Sequence, residues 1–422
     1  MSEQLLQFIW KFGLFDKENA QTTTGERVEV LSCGVQNADA GPDFSNVRLK
    51  IGSTQWAGSV EVHALASDWK KHRHQRDKAY DNVVLHVVQR NDCAPVCNSS
   101  GAAIPVYEMR YDQALDERYR ALMSSQEFVP CRPQLKSVES FKLRMFLTRL
   151  AVERMECRCA HIAQLLEASC NDWEAVFQRL LFRAFGFGIN AEPFELLAQS
   201  IPPLCIAKHR SSQVQIEAIL LGQAGLLPST AADEYHAQLK KEYDLLRVKF
   251  SLTPIEAHVW KFLRTRPVNF PTIRIAQLAS LLCKFGNLID HVLKVKNVRD
   301  CIAIFSVKPS EYWDTHYAFG KPSAKRSKVL GEKSVERIAA NFVAPMLFAY
   351  GKNRGQETLC EAAVELLEQV EPEQNSKVEG WRSMGVAPQN MLESQALLQL
   401  KNEYCDKKKC LQCMIGKQIL EG

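Results

Sequence analysis

The chain has 422 residues, 46% of them hydrophobic and 24% charged, and a formal net charge of +5. These proportions belong to a folded globular chain of two or three domains and exclude disordered, collagen-like and fibrous classes. No apolar run reaches the ~18 residues that a membrane span needs, and so weak a net charge leaves partner recognition to local patches.

The N-terminus MSEQLLQFIWKFGLFDKE lacks the basic start, apolar block and small-residue cleavage site of a signal peptide, which points to the cytoplasm. In that compartment the 14 cysteines read as free core thiols or metal ligands rather than disulfides. Residues 4–10 space their apolar side chains as a helix does. Residues 27–31 alternate like a half-buried strand, and a Gly/Asn/Asp/Pro-rich loop follows over 33–42. Residues 44–51 alternate again, with Val47, Leu49 and Ile51 on one face. The short link Gly52-Ser53-Thr54 leads into a third strand over 56–64, which makes an antiparallel hairpin. Residues 67–78 are polar and predict a short helix with Ser67 or Asp68 as N-cap. Residues 83–88 are apolar on both faces, as in a central strand, and 104–109 carry a proline suited to an edge.

From Tyr111 onward the spacing is helical, over 141–166, 173–187, 213–227, 232–249, 275–285 and 335–350. A loop is expected over 380–389, before a last helix over 394–404. The fold class expected is therefore α+β, a small N-terminal mixed sheet with helices followed by a large all-helical region. The domains would be 1–115, a linker over 116–135, and a helical domain over 136–422.

The most informative stretch is Gly41-Pro42-Asp43-Phe44 together with Glu61-Val62-His63, eighteen residues after Asp43. Alternation along a strand puts Glu61 and His63 on one face and Val60 and Val62 on the other. Asp43 sits at the mouth of the neighbouring strand. Two carboxylates and a third polar group would then converge, a set that suits Mg²⁺ or Mn²⁺ and the activation of bound water. The plainer alternatives are that Asp43 caps the turn after Pro42, and that Glu61 and His63 face solvent. Trp56 and the bulky valines argue for a covered strand. Pro42-Asp43, Glu61-Val62-His63 and the order of elements resemble the PD-(D/E)xK nuclease superfamily, with His63 where that family carries lysine. The resemblance implies a nuclease-like core in which Asp43 and Glu61 hold a divalent ion and His63 completes the catalytic set. A histidine, neutral for much of the time at pH 7, is a departure from that pattern.

Residues 69–78 hold five Lys/Arg and one Asp, a formal +4. Lys70, Lys71, Arg73 and Arg76 could grip a phosphate backbone, or could form a solvated helix face. His72, His74 and Asp77 are a weaker candidate metal set, because His72 and His74 would face apart on a helix. His86 reads as a hydrogen-bonded core histidine.

At the C-terminus Cys405, Cys410 and Cys413 form C-x₄-C-x₂-C, with lysines at 407–409 that would favour thiolates. Zinc or an iron–sulfur cluster would need a fourth ligand, and Cys131 is the candidate. It lies just past the sheet domain, as the first ligand does in some iron–sulfur nucleases of the superfamily resembled. Three free thiols near a chain end are the plainer reading. Cys205, Cys283 and Cys301 read as core residues. Arg264, Arg266, Asn269 and Arg274 surround a helix start, either as a phosphate site or as a buried network. Trp313, His316 and Tyr317 read as core or as a stacking surface. Residues 216–225 read as close helix packing.

Several strings together resemble one family: Thr24-Gly25-Glu26, residues 37–44, residues 56–63, residues 222–227, residues 266–271 and the terminal cysteines. It is a bacterial domain-of-unknown-function family, the one numbered 2851, and the likeness runs over nearly the whole chain. It implies no activity of its own. The expected function is a metal-dependent, nuclease-like protein hydrolysing phosphodiester bonds in nucleic acid, DNA ahead of RNA. The alternative is a non-catalytic nucleic-acid or protein-binding scaffold that keeps the fold, with a protein partner at the helical region and no membrane partner.

Overall fold

The computed structural model describes residues 2–93, 95–228, 230, 232–263 and 265–422. The chain forms two compact units, Met1–Phe146 with Leu400–Gly422, and Leu147–Gln399.

The first unit opens with α1 (Glu3–Phe12), whose Leu5, Leu6, Phe8, Ile9 and Trp10 form one buried face. Gly13 ends the helix at φ 62, a left-handed conformation that glycine adopts without strain. Strands β1 (Val28–Ser32), β2 (Val35–Gln36), β3 (Phe44–Ile51), β4 (Thr54–Leu65), β5 (Val83–Arg90) and β6 (Val106–Glu108) build one mixed sheet. Its order is β1-β3-β4-β5-β6, with β2 paired to β3. β1, β3 and β4 are antiparallel, and Gly52 turns the chain so that Ile51 pairs with Thr54. β4–β5 and β5–β6 are parallel, so each needs a connection that crosses the sheet. Between β4 and β5 that connection is α2 (Asp68–Lys71) and two single 3₁₀ turns, His74–Arg76 and Lys78–Tyr80. α1 packs against β4, and Val83, Leu85, His86, Val87 and Val88 are buried along β5.

The α+β class, the hairpin, the central β5 and the edge β6 agree with the sequence reading. Three details differ. The loop over 33–42 contains β2. The expected helix over 67–78 stops at Lys71, and Ser67 makes no cap, because its Oγ donates to Asp92 Oδ2 at 2.8 Å. Trp56 is 44% exposed, so it gives no sign of coverage, which begins at Gly58.

Residues 116–135 are not a bare linker, since α3 (Gln113–Ser124) and a 3₁₀ turn (Arg132–Ser137) occupy much of them. The segment Leu400–Gly422, grouped with the helices by its periodicity, belongs to the unit that holds the sheet. Its final helix, Met414–Glu421, packs on α3.

The second unit is helical, and α4 (Ser140–Ala168) carries the chain into it. Trp313, Trp381, Phe182, Phe185, Phe194, Phe305 and Phe342 are among its largest buried side chains. Helices Gln213–Gln223 and Glu234–Phe250 approach so closely that a Cβ at Gly222 would run into the Tyr243 ring, which is the close packing expected over 216–225. The helix expected over 335–350 is interrupted by a π turn, Ala339–Val343. The loop expected over 380–389 begins inside a helix, Ser376–Arg382, which buries Val378 and Trp381. Among the described residues no helix is long and apolar enough to cross a membrane.

Candidate metal centre

The register of β3 on β4 pairs Phe44 with Val60 and so brings Asp43 beside Glu61. The Asp43 backbone N–H donates to Glu61 Oε2 at 3.0 Å, and the Val62 N–H donates to Asp43 Oδ2 at 3.0 Å. Gln7 on α1 donates to Asp43 Oδ1 at 2.8 Å. The preceding loop is tied by Asn37, whose Nδ2 donates to the carbonyls of Ala40 and Pro42. Asp43 is therefore engaged with β4 rather than with its own turn. Burial, and then the nearby Glu61 charge, push the Asp43 carboxyl up to about 7.

Glu61 and His63 are 5% and 1% exposed, so the solvent-facing reading of this pair is overturned. The cause is the parallel partner β5, which places His86 opposite Glu61. His63 Nδ1 lies 2.9 Å from His86 Nε2. Its other nitrogen, Nε2, lies 3.1 Å from His72 Nδ1, 3.4 Å from Glu61 Oε1 and 3.6 Å from Glu3 Oε1. His74 Nε2 lies 3.2 Å from Glu61 Oε1. Burial, and then His86, His74 and His72, push His63 down to about 3, so its ring is neutral. Burial and His74 push His86 down to about 3 as well.

The expectation that His72 and His74 face apart assumed a continuous helix and is corrected here. α2 ends at Lys71, His72 is its C-cap, and Arg73 takes the left-handed conformation at φ 64. That reversal swings His74 back, and the ligand atoms of His63, His72 and His74 come within 4.8 Å of one another. His63 and His74 are buried and His72 is exposed. Tyr80 stacks on the His74 ring at 3.8 Å and Trp69 meets its edge, which holds the imidazole in place. Asp77 does not join them; its carboxylate caps the following turn through the Ala79 N–H.

Lys70, Lys71, Arg73 and Arg76 are all exposed on this same crossover. The sequence reading missed Glu3 and Gln7, whose only signal was a polar i, i+4 pair on an amphipathic helix.

Cys131, Cys405, Cys410 and Cys413 all lie in the first unit. They are near enough that Cys410 and Cys413 both raise Cys131, and all three others raise Cys405. Burial is the larger cause at each. It pushes Cys131 up to about 12 and Cys410 up to about 11, and it outweighs the lysines expected to favour thiolates. Cys413 sits at the start of the final helix, where the backbone N–H groups of Ile415 and Gly416 reach its sulfur. A Cβ at Gly416 would collide with the Cys410 carbonyl, so glycine lets that helix close on the C-x₂-C turn.

In the second unit Arg274 is buried, bonded to Gln277, Asn269 and Ser334 and stacked on Phe187, a structural network rather than an open phosphate site. Arg264, grouped with it from the sequence, lies outside the described residues. Trp313 is core, its indole N–H donating to Glu217 at 2.9 Å.

The family described as "Protein of unknown function (DUF2851)" matches residues 3–376, and so covers the sheet, the histidine crossover and most of the helical unit. The chain belongs to that family. No curated protein and no solved structure matches it. In this DUF2851 chain the match ends before Cys405, Cys410 and Cys413, so the four-cysteine set lies partly outside the matched span.

Proposed function

We propose that this protein is a metal-dependent phosphodiester hydrolase acting on nucleic acid in the cytoplasm, DNA ahead of RNA. The observation that carries the reading is the pairing of half-buried Asp43 with buried Glu61, joined across β3 and β4 and bordered by His63. Two carboxylates close enough that one raises the other's pKa are stabilised by a cation. A Mg²⁺ or Mn²⁺ held there would supply Lewis acidity and an activated water. Gln7 and the Val62 N–H orient Asp43, and the Asp43 N–H orients Glu61. His63 takes the position of the superfamily's lysine and acts as a neutral imidazole. Lys70, Lys71, Arg73 and Arg76 would bind phosphates without reading sequence. Asp43→Asn is expected to abolish Mg²⁺- or Mn²⁺-dependent cleavage of single- and double-stranded DNA while the fold is kept. Equal cleavage by the wild type and this variant would refute the reading.

One observation favours the second reading, a non-catalytic scaffold: both Asp43 oxygens already accept protein hydrogen bonds. On that reading the wild type and the Asp43→Asn variant would bind nucleic acid equally well, and neither would cleave it. A protein partner at the helical unit is supported by Leu245 and Val248, which lie exposed on one helix.

We propose further that Cys131, Cys405, Cys410 and Cys413 hold zinc or an iron–sulfur cluster. What supports this is that the four cysteines lie in one unit and that backbone N–H groups reach the Cys413 sulfur. Anaerobically purified protein should carry iron with acid-labile sulfide and be brown, or carry about one zinc and be colourless. Cys410→Ser should lose that metal. Equal metal content in the two proteins would remove the assignment.

A further inference from the structure

We propose that His63 Nε2, His72 Nδ1, His74 Nε2 and Glu61 Oε1 form a binding site for a divalent first-row transition-metal ion, one that selects against Mg²⁺. The inference deepens the reading above, since it rests on Glu61, which would be shared: Oε2 lies on the Asp43 side and Oε1 on the imidazole side.

The argument starts from where the donor atoms point. The separations are 3.1 Å between His72 Nδ1 and His63 Nε2, 3.2 Å between His74 Nε2 and Glu61 Oε1, and 3.4 Å between His63 Nε2 and Glu61 Oε1. Ligand atoms about 2.1 Å from one ion stand about 3.0–3.4 Å apart at angles between octahedral and tetrahedral. The second point is an unsatisfied atom. His74 is 8% exposed, and its Nε2 is buried without a hydrogen-bond partner although it is aimed at Glu61. The third is charge. Glu61 is buried, and the side chains its Oε1 meets are imidazoles. Glu3 Oε1 adds a second carboxylate 3.6 Å from His63 Nε2. A buried carboxylate facing imidazole rings gains from a dication between them.

The second shell fits the same assignment. If His63 Nε2 offers its lone pair, its proton is on Nδ1 and is donated to His86 Nε2 at 2.9 Å. A ligating histidine that donates its other N–H in this way is held in one tautomer and one orientation. Three imidazoles decide the class of ion, because nitrogen donors favour Mn²⁺ through Zn²⁺ over Mg²⁺, which takes oxygen ligands and keeps its waters. His72 is exposed, so the site opens to solvent on one side and keeps a position for an outside ligand.

The test is a Co²⁺ titration of the full-length chain after dialysis against chelator, read in the visible and run beside His72→Ala and His74→Ala. The wild type should show one saturable band of nitrogen- and oxygen-ligated Co²⁺, and any sulfur charge transfer belongs to the cysteine set and should be the same in all three proteins. A tenfold excess of Mg²⁺, roughly, should leave it in place, given the donor set. Either variant should weaken binding about 10–100-fold or more. His72→Ala alters an exposed side chain and should melt as the wild type does, so loss of the band there reports ligation rather than unfolding. A band unchanged in both variants, displaced by Mg²⁺ or absent from the wild type overturns the site. Cleavage assays on the same proteins separate the two readings. A His72-dependent band in a protein that cleaves nothing leaves the metal site standing and removes the hydrolase. Mg²⁺-dependent cleavage with no such band does the reverse.

Discussion

Glu61→Gln is expected to lower metal-dependent cleavage by about 10³-fold while leaving the melting temperature unchanged or raised. The two halves of this result have different causes. Glu61 is bonded to Asp43 on one oxygen and aimed at His63 and His74 with the other. Glutamine has the same shape and can keep its oxygen on the Asp43 N–H. Its NH₂ then points at the two imidazoles, where it can donate to their lone pairs. The fold thus exchanges a buried charge for a neutral donor, a change that is often neutral or stabilising. The metal loses its anionic ligand, and an amide nitrogen replaces the oxygen on the histidine side. Single-turnover cleavage with Mn²⁺ and a thermal melt measure the two effects. Cleavage within about threefold of the wild type would show that Glu61 carries no transition-state charge.

The parts of this site that were legible in the sequence are those set by local periodicity. The hairpin of β3 and β4 follows from alternation and Gly52, and it brings Asp43 to Glu61. The burial of Glu61 and His63 was not legible, because it depends on β5 arriving in parallel after a crossover. The histidine cluster shows the same limit more sharply. A helical reading of 67–78 puts His72 and His74 on different faces. One left-handed residue, Arg73, which nothing in its side chain requires, folds them together. Such conformations are imposed by packing, here by Trp69 and Tyr80 closing on His74. The placement of Leu400–Gly422 was hidden for a related reason. Its helical spacing is the same whichever unit it packs in, and only long-range contacts assign it to the sheet. Cys131 was put forward through the likeness to iron–sulfur nucleases, since nothing in the spacing of the terminal cysteines points to it, and the fold places it in the same unit as they are.

The second large effect lies in the helical unit, where sequence spacing pointed to packing and missed a charge. Glu217 is fully buried in helix Gln213–Gln223. Its Oε2 accepts from Tyr235 Oη at 2.8 Å, Trp313 Nε1 at 2.9 Å and Ser310 Oγ at 3.1 Å, and its Oε1 accepts from Gln213 Nε2 at 3.2 Å. Glu217→Leu keeps the volume and leaves those donors without an acceptor. The Trp313 N–H is wholly buried, whereas Tyr235, Ser310 and Gln213 are only half-buried and can turn towards water. The desolvation cost of the carboxylate is recovered at the same time, so the net loss is about 3 kcal/mol rather than the sum of four bonds. For a unit of this size that is a fall of about 6–12 °C in melting temperature. Glu217→Gln keeps an acceptor for Trp313 and should lose less. The pH dependence gives a second readout. Burial holds the folded Glu217 carboxyl above its ordinary value of 4.5, despite the donors that pull it down. Between those two values the folded chain binds more protons than the unfolded one, so stability falls as pH rises through that window. Wild type measured against Glu217→Gln, which does not titrate there, should therefore be relatively more stable at pH 5 than at pH 7. A difference that stays flat or grows with pH would mean that the four donors outweigh burial and that Glu217 is held as a carboxylate.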